Sequence, residues 1–219
     1  MGTLTGQNIV DRVRRVIQDT TNGGTRWKDA ELLDWVNDAQ REIVLVKPNS
    51  NAVTADVTMA AGTKQSLPPT GLQLLAVIRN TGGAAIRRVE RAILDAENPD
   101  WHTETPNNTA VHYIFDEDDA ETFYLYPPQE GTPGSVELVY SAAPTDLGSL
   151  ASTISLNDIY ANVIIDYVLY RAYSKDADYA GNNQRANNHY VAYNNSLGNR
   201  VQREVEVSPN APPSAQIQG

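Results

Sequence analysis

Apolar positions in the first fifty residues recur with the period of a helix. Between Thr5 and Thr20, Ile9, Val13, Val16 and Ile17 fall at steps of four and three, which places them on one stripe with Arg12, Arg14 and Arg15 opposite. That is the pattern of a surface helix, and Asn22-Gly23-Gly24 stops it. A second helix is predicted from about Lys28 to Lys47, with Leu32, Trp35, Val36, Ala39, Ile43 and Val46 on its buried side and Pro48 as the stop. The two make a helical hairpin.

From Asn51 the period changes to alternation. Val53, Ala55, Val57 and Met59 share one face, and Ala61-Gly62-Thr63 turns the chain into Gln65 to Leu67, a short β-hairpin. After Pro68-Pro69, Leu72 to Ile78 reads as a buried strand and Ala84 to Arg88 as its partner across Thr81-Gly82-Gly83, a second hairpin. Val89 to Asn98 reads as a short helix with Val89, Ala92, Ile93 and Ala96 inward, ended by Pro99. Strands resume at Val111 to Phe115 and Thr122 to Tyr126 around the acidic turn Asp116 to Asp119, and again at Val136 to Ser141. The middle of the chain is therefore expected to be antiparallel β.

The last third returns to helix. Ser155 is the expected N-cap, with Asp158 three residues on, ahead of the dense apolar run Ile159 to Tyr173. Because Ile159, Val163, Ile164, Ile165, Val168 and Leu169 cover most of its circumference, this helix should be buried on several sides, by its own domain and by a neighbouring subunit. Another helix is predicted from about Ala177 to Glu204. Beyond Val205 the chain has one charge, Glu206, and Pro209, Pro212 and Pro213, so it has no means to fold alone. The fold class is α+β: a helical bundle (an N-terminal helical hairpin plus two long C-terminal helices), an antiparallel β-rich insertion and an extended C-terminal tail. The expected boundaries are 1–50 with 150–204 for the helical core, 51–149 for the insertion and 205–219 for the arm.

Composition narrows the function. At 219 residues the chain can bury a sizeable core, and 41% hydrophobic with 20% charged residues is ordinary for a soluble protein. A net charge of -10 argues against gripping nucleic acid through its phosphates, while it suits a soluble particle component or the wall of a passage along which DNA slides. There is no Cys, which excludes disulfides, thiolate metal sites and Cys nucleophiles. Met1 to Gln18 carries Asp11, Arg12, Arg14 and Arg15 and no apolar core of signal-peptide length, so the product is expected to be cytosolic when made.

Catalytic chemistry is not visible. His102, His112 and His189 lie far apart without a second ligand at metal spacing, and Asp116 to Asp119 with Glu121 lacks the Gly and final Glu of an EF-hand loop. No phosphate-cradling Gly loop or nucleophile elbow occurs, and the carboxylate pairs Asp95 with Glu97 and Asp176 with Asp178 read as solvated helix ends. No catalytic, cofactor-binding or metal residues are therefore assigned, no cofactor is expected, and the chain reads as a non-enzyme. The two basic clusters, Arg12, Arg14 and Arg15, and Arg87, Arg88 and Arg91, lack the interleaved aromatics of a nucleic-acid surface. They read as faces pairing with nearby acids or, more sharply, contacting an acidic partner subunit. An alternative reading is a small non-catalytic ligand-binding module using the β layer with Trp101, Tyr113, Tyr124 and Tyr126.

The C-terminal third is the most unusual part. Seven of the eleven Tyr lie between Tyr160 and Tyr193, and Asn182, Asn183, Asn187, Asn188, Asn194, Asn195 and Asn199 crowd the last helix. Asn is a mediocre helix former, so this polar, uncharged helix is expected to gain stability from partners. Tyr160, Tyr167, Tyr170, Tyr173, Tyr190 and Tyr193 are the candidate subunit-packing residues, with completion of the core as the plainer alternative.

The stretch from Arg26-Trp27-Lys28-Asp29-Ala30-Glu31-Leu32-Leu33 to Ile43 and the run from Asp158-Ile159-Tyr160 through Tyr167-Val168-Leu169-Tyr170-Arg171 to Asp176 resemble a family of tailed-bacteriophage head-to-tail adaptors. The order of elements is similar over nearly the whole chain. The resemblance implies a homo-oligomeric, twelvefold ring under the portal protein, joining the capsid to a tail nozzle or other tail proteins. Double-stranded DNA would pass through it without specific binding, and no membrane is involved. It implies a location at the head-tail junction of the virion after synthesis in the bacterial host cytoplasm. Val205, Val207, Pro209, Pro212 and Ile217 are the expected portal- or neighbour-binding positions of the arm, and the β insertion is expected at the outer or lower rim.

Overall fold

A computed structural model describes residues 2–115, 118–131, 134–179 and 181–207. In chain order the described elements are α1 (Gly6–Ile17), α2 (Asp29–Val46), β1 (Ala52–Thr58), β2 (Gly62–Ser66), β3 (Gly71–Asn80), β4 (Arg87–Arg88), α3 (Arg91–Glu97), β5 (His112–Phe115), β6 (Thr122–Gln129), β7 (Ser135–Ala142), α4 (Ala161–Lys175) and α5 (Asn182–Val207). The protein is α+β. Two units divide it: Met1–Lys47 with Pro144–Gly219, and Pro48–Ala143.

In the first unit, Ile9, Val10 and Val13 of α1, Leu32, Val36, Ala39 and Ile43 of α2, and Val163, Ile164, Val168 and Ala172 of α4 share one apolar core with Tyr193 and Leu197 of α5. The start of α1 follows from sequence: the Thr5 hydroxyl accepts from the Asn8 N–H while Asn8 Oδ1 accepts from the Thr5 N–H, a reciprocal cap. On α2 five of the six residues expected inward are buried, and the buried face is wider than expected. Val46 is exposed, whereas Val44, Asn37 and Gln40 are buried. Both amides turn inward because they serve the backbone of the strap before α4. Asn37 accepts from the Leu147 N–H at 2.8 Å and donates to its carbonyl, and Gln40 Oε1 accepts from the Ser155 N–H at 2.7 Å.

Ser155 is consequently not the cap of α4. Its hydroxyl donates to the Thr145 carbonyl, and the turn ahead of α4 is closed instead by Asn157, which accepts from the Ile159 N–H at 3.0 Å. Asp158, expected in a capping box, accepts from the Thr3 and Leu4 N–H groups at 2.7 and 3.0 Å and ties the N-terminal segment to this turn. The last helix begins at Asn182 and continues to Val207, past the expected end at Glu204.

In the second unit, β1, β7 and β3 form one sheet in that order, and β2, β6, β5 and β4 the other. Leu74, Val77, Val136, Leu138 and Tyr140 from the first sheet meet Phe123 and Leu125 from the second in one core. On the opposite face of the second sheet, Ile114 packs with Leu94 of α3 and Trp101. Alternation sets this directly: Phe123 and Leu125 face one layer, Tyr124 and Tyr126 the other.

The expected pairings differ. β1 and β2 do not form a hairpin: β1 pairs with β7 and β2 with β6, because the chain crosses between sheets after the buried Met59, so that both strands cover the shared core. β3 begins a hairpin through the Ile86 N–H to the Ile78 carbonyl, but the chain then leaves it, and β4 joins β5 in parallel. The β5–β6 hairpin around the acidic turn is present as read, although Asp116 and Glu117 lie outside the described residues. In α3, Leu94 is buried with Trp101 and Ile114, and Val89 ahead of the helix packs against the same cluster, while Ala92, Ile93 and Ala96 lie on the exposed side.

Candidate functional site

α4 and α5 are antiparallel neighbours joined by aromatic rings. Tyr167 meets Tyr193 at 5.5 Å between centroids, Tyr170 meets Tyr190 at 5.0 Å, and Tyr173 stacks on His189 at 5.8 Å. These pairs fix the register: α4 is 15 residues and α5 26, so the turns of α5 after about Arg200 run beyond the first residue of α4, a reach of roughly 10 Å at 1.5 Å per residue. His189 Nδ1 lies 2.9 Å from Asp166 Oδ1, a fourth tie across the pair.

The six candidate tyrosines divide by depth. Tyr160, Tyr167, Tyr173 and Tyr193 are buried within the unit, Tyr170 is half-buried and Tyr190 is 46% exposed. The Tyr160 hydroxyl accepts from Lys47 Nζ at 2.6 Å, and the Tyr167 hydroxyl from Arg171 at 3.2 Å. Burial pushes the Tyr167 phenol up, with Arg171 opposing. The Tyr193 hydroxyl is buried without a hydrogen-bond partner among the described residues, and burial, reinforced by the Glu42 carboxylate, pushes its pKa far above the ordinary tyrosine value. It remains a neutral phenol at any physiological pH.

Outward from these rings α5 presents amides. Asn182 is buried and donates to Asp176, but Asn183, Asn187, Asn188, Asn194, Asn195 and Asn199 are exposed, with Gln184 donating to Asn188 along the face. Between Arg185 and Arg200 the helix has no formally charged residue. Amides cost less to desolvate than charges and hydrogen-bond in both directions, so this face suits protein contact. Of the arm positions, Val205 and Val207 fall in the last turns of α5 with side chains outside the described set, and Pro209, Pro212 and Ile217 lie outside the described residues.

At the other end of the pair, Ile17, Arg26, Trp27, Tyr173, Tyr179 and Arg185 line an open cleft of about 330 Å³. Arg26 lies over Trp27 and Tyr179 and pairs with Asp176, so the expected solvated carboxylate of Asp176 is engaged.

The basic clusters part ways. Arg14 is not on the outer face: its guanidinium is buried, donating to the Asp19 and Trp27 carbonyls and to Asp29 Oδ1 at 2.5 Å. Asp19 closes the same loop by accepting from the Thr25, Arg26 and Trp27 N–H groups. Burial raises its pKa, yet these donors and Arg14 outweigh burial and hold it below the ordinary value. Sequence reasoning missed this clamp, whose one signal was Gly24: at φ +72°, a Cβ there would sit 2.0 Å from the Trp27 carbonyl and 2.4 Å from Arg14 Nη1. Arg87 and Arg88 stay exposed. Trp101, the centre of the ligand-binding alternative, is fully buried with Nε1 donating to Asp95, and so presents no face to a ligand.

The family model of the SU10 adaptor protein matches residues 4–213. The chain belongs to this family of phage head-tail adaptors. No curated protein matches it significantly.

Proposed function

With membership of the SU10 adaptor family as premise, we propose that the chain forms a twelvefold ring beneath the portal and connects the capsid to tail proteins such as a nozzle. The match over residues 4–213 carries this reading, and the uncharged face of α5 supports it by offering a contact surface on a protein of net charge -10. The helical unit then serves as the adaptor core, a bundle of the N-terminal hairpin and the two C-terminal helices. Residues 205–219 serve as an arm that binds the portal or a neighbouring subunit. Double-stranded DNA passes through the lumen without specific binding, and acidic side chains along that passage keep it mobile. The protein would reside at the head-tail junction of the virion after synthesis in the host cytoplasm.

Mass measurement of the full chain, alone and with a portal ring, tests the reading. A closed cyclic oligomer on the portal is expected, and a strict monomer that ignores the portal would overturn it. Truncation after Val207 tests the arm: portal binding should fall sharply, and unchanged assembly would remove the arm from the mechanism.

A further inference from the structure

The outward side of α5 carries a second pattern besides its amides. Gln184, Asn188, Val191, Asn195 and Gly198 recur at steps of four and three, opposite the buried Asn182, Ala186, Tyr193 and Leu197. All five are exposed and none is charged. Gly198 lies in the interior of a 26-residue helix, where glycine is the poorest residue after proline, and a Cβ there would meet nothing within 4 Å among the described residues. Its own subunit gives no reason for the missing side chain, whereas the close approach of another molecule does.

A projection of matching character lies on the other flank of the helical unit. Leu45, near the end of α2, is 75% exposed, the most exposed large apolar side chain among the described residues, and Val46 and Ile159 are also more than half exposed. The bond from Lys47 Nζ to the Tyr160 hydroxyl holds the end of α2 beside the turn that carries Ile159. With Val191 on α5, these account for all the large apolar side chains among the described residues that are more than half exposed, save Tyr179. α4 separates the two surfaces: Lys175, which pairs with Glu31 of α2, lies half a circumference from Asp166, which bonds His189 of α5. They share a level as well. Gly198 lies one and a half turns beyond Tyr193, whose ring meets Tyr167, and so stands beside the first turn of α4, just after Ile159.

We infer that Leu45, with Val46 and Ile159, seats against the Gly198 notch on α5 of a second copy of this chain, so that neighbouring helical units join in one direction, projection to notch. This names the partner of the amide face and rests on the ring reading above. Two unlike surfaces on opposite flanks at one level are what copies related by a single rotation axis require. Charge favours the same occupant: copies of net charge -10 repel one another, and α5 between Arg185 and Arg200 adds no formal charge to that repulsion. Asn188 and Asn195 both donate and accept, so the contact closes without stranding a charge.

The test uses the full chain as wild type, Gly198→Ala, Gly198→Leu and Leu45→Glu. Thermal unfolding verifies folding, and native mass spectrometry with and without portal rings follows assembly. Gly198→Ala should raise the thermal midpoint by about 2 °C, because a better helix former replaces glycine, while raising the concentration needed for rings about threefold. Gly198→Leu and Leu45→Glu should each raise that concentration by about tenfold, the first by filling the notch and the second by placing a charge in it. Mixed in equal amounts, these two retain one intact projection and one intact notch between unlike chains, and should stop at a dimer containing one of each. Variants that fold and assemble like a ring-forming wild type overturn the contact and leave the ring standing. A mixture without the mixed dimer overturns Leu45 as the partner of Gly198. A lowered midpoint in Gly198→Ala shows that the chain itself requires the glycine and removes the notch. Unchanged self-assembly with reduced retention on portal rings would assign the α5 face to the portal and overturn the proposal. A wild type that never closes, with or without portal, overturns the ring and this contact together.

Discussion

Two arginine clusters that look alike in sequence have opposite fates in the fold. In α1, Arg14 turns inward and is enclosed by Asp19, Asp29 and the Trp27 carbonyl, so that one charge organises the whole loop between α1 and α2. On β4, Arg87 and Arg88 remain exposed at a sheet edge, Arg88 over the Phe115 ring, with no ion pair among the described residues. The difference teaches that a cation becomes structural when backbone carbonyls and acids surround it from several elements, and remains available to a partner when only one surface backs it.

The largest effect on this contrast should come from Arg14→Ala. It leaves the Asp19 and Trp27 carbonyls without their donor and removes the ion pair to Asp29, and is expected to cost about 3–5 kcal/mol in urea unfolding. Gly24→Ala should follow at about 2–3 kcal/mol, from the left-handed φ and from the collision with the Trp27 carbonyl and Arg14. A wild-type urea midpoint in Gly24→Ala would show that the loop relaxes freely. Asp19→Asn should cost about 1–2 kcal/mol near neutral pH. Because the folded pKa of Asp19 lies below its unfolded value, its contribution is complete above that unfolded value and disappears as pH falls through the folded one. Urea midpoints measured from about pH 6 to pH 3 should therefore fall less steeply in Asp19→Asn than in wild type below about pH 4. Arg87→Ala should stay within about 0.5 kcal/mol of wild type, the mark of a surface charge without structural work. Asn187→Ala with Asn188→Ala should likewise leave stability nearly unchanged while weakening association with the portal in pull-down, which separates the amide face from the core behind it.

Much of the helical unit was legible. The apolar steps of α1 and α2 and the dense run of α4 follow from periodicity, apart from Val16, Val46 and Ile159, which are exposed, because a stripe of Ile, Val and Leu at steps of three and four has one economical burial. The β unit was less legible. Strand positions followed from alternation, but β1, β2, β3 and β7 paired otherwise than adjacency suggested, since a strand's own pattern says which face is buried and not which neighbour completes its ladder. Around the candidate site, the concentration of Tyr and Asn was plain in composition. Which tyrosines face inward was not, because Tyr167 and Tyr193 are buried only by the register of α4 on α5.

By itself the sequence determined the periods, the turns and the chemical inventory: helices at both ends, strands between them, no thiols, an acidic balance and a last helix without formal charge between Arg185 and Arg200. The tertiary structure alone decided that Arg14 and Asp19 are interior while Arg87 and Arg88 are not. It also decided that Asn37 and Gln40 serve a distant backbone and that Asn157 rather than Ser155 closes the turn before α4. The reason is physical. Local pattern encodes what a residue prefers, whereas burial of a charge or an amide depends on donors and acceptors supplied from far along the chain, and these exist only once the elements have packed.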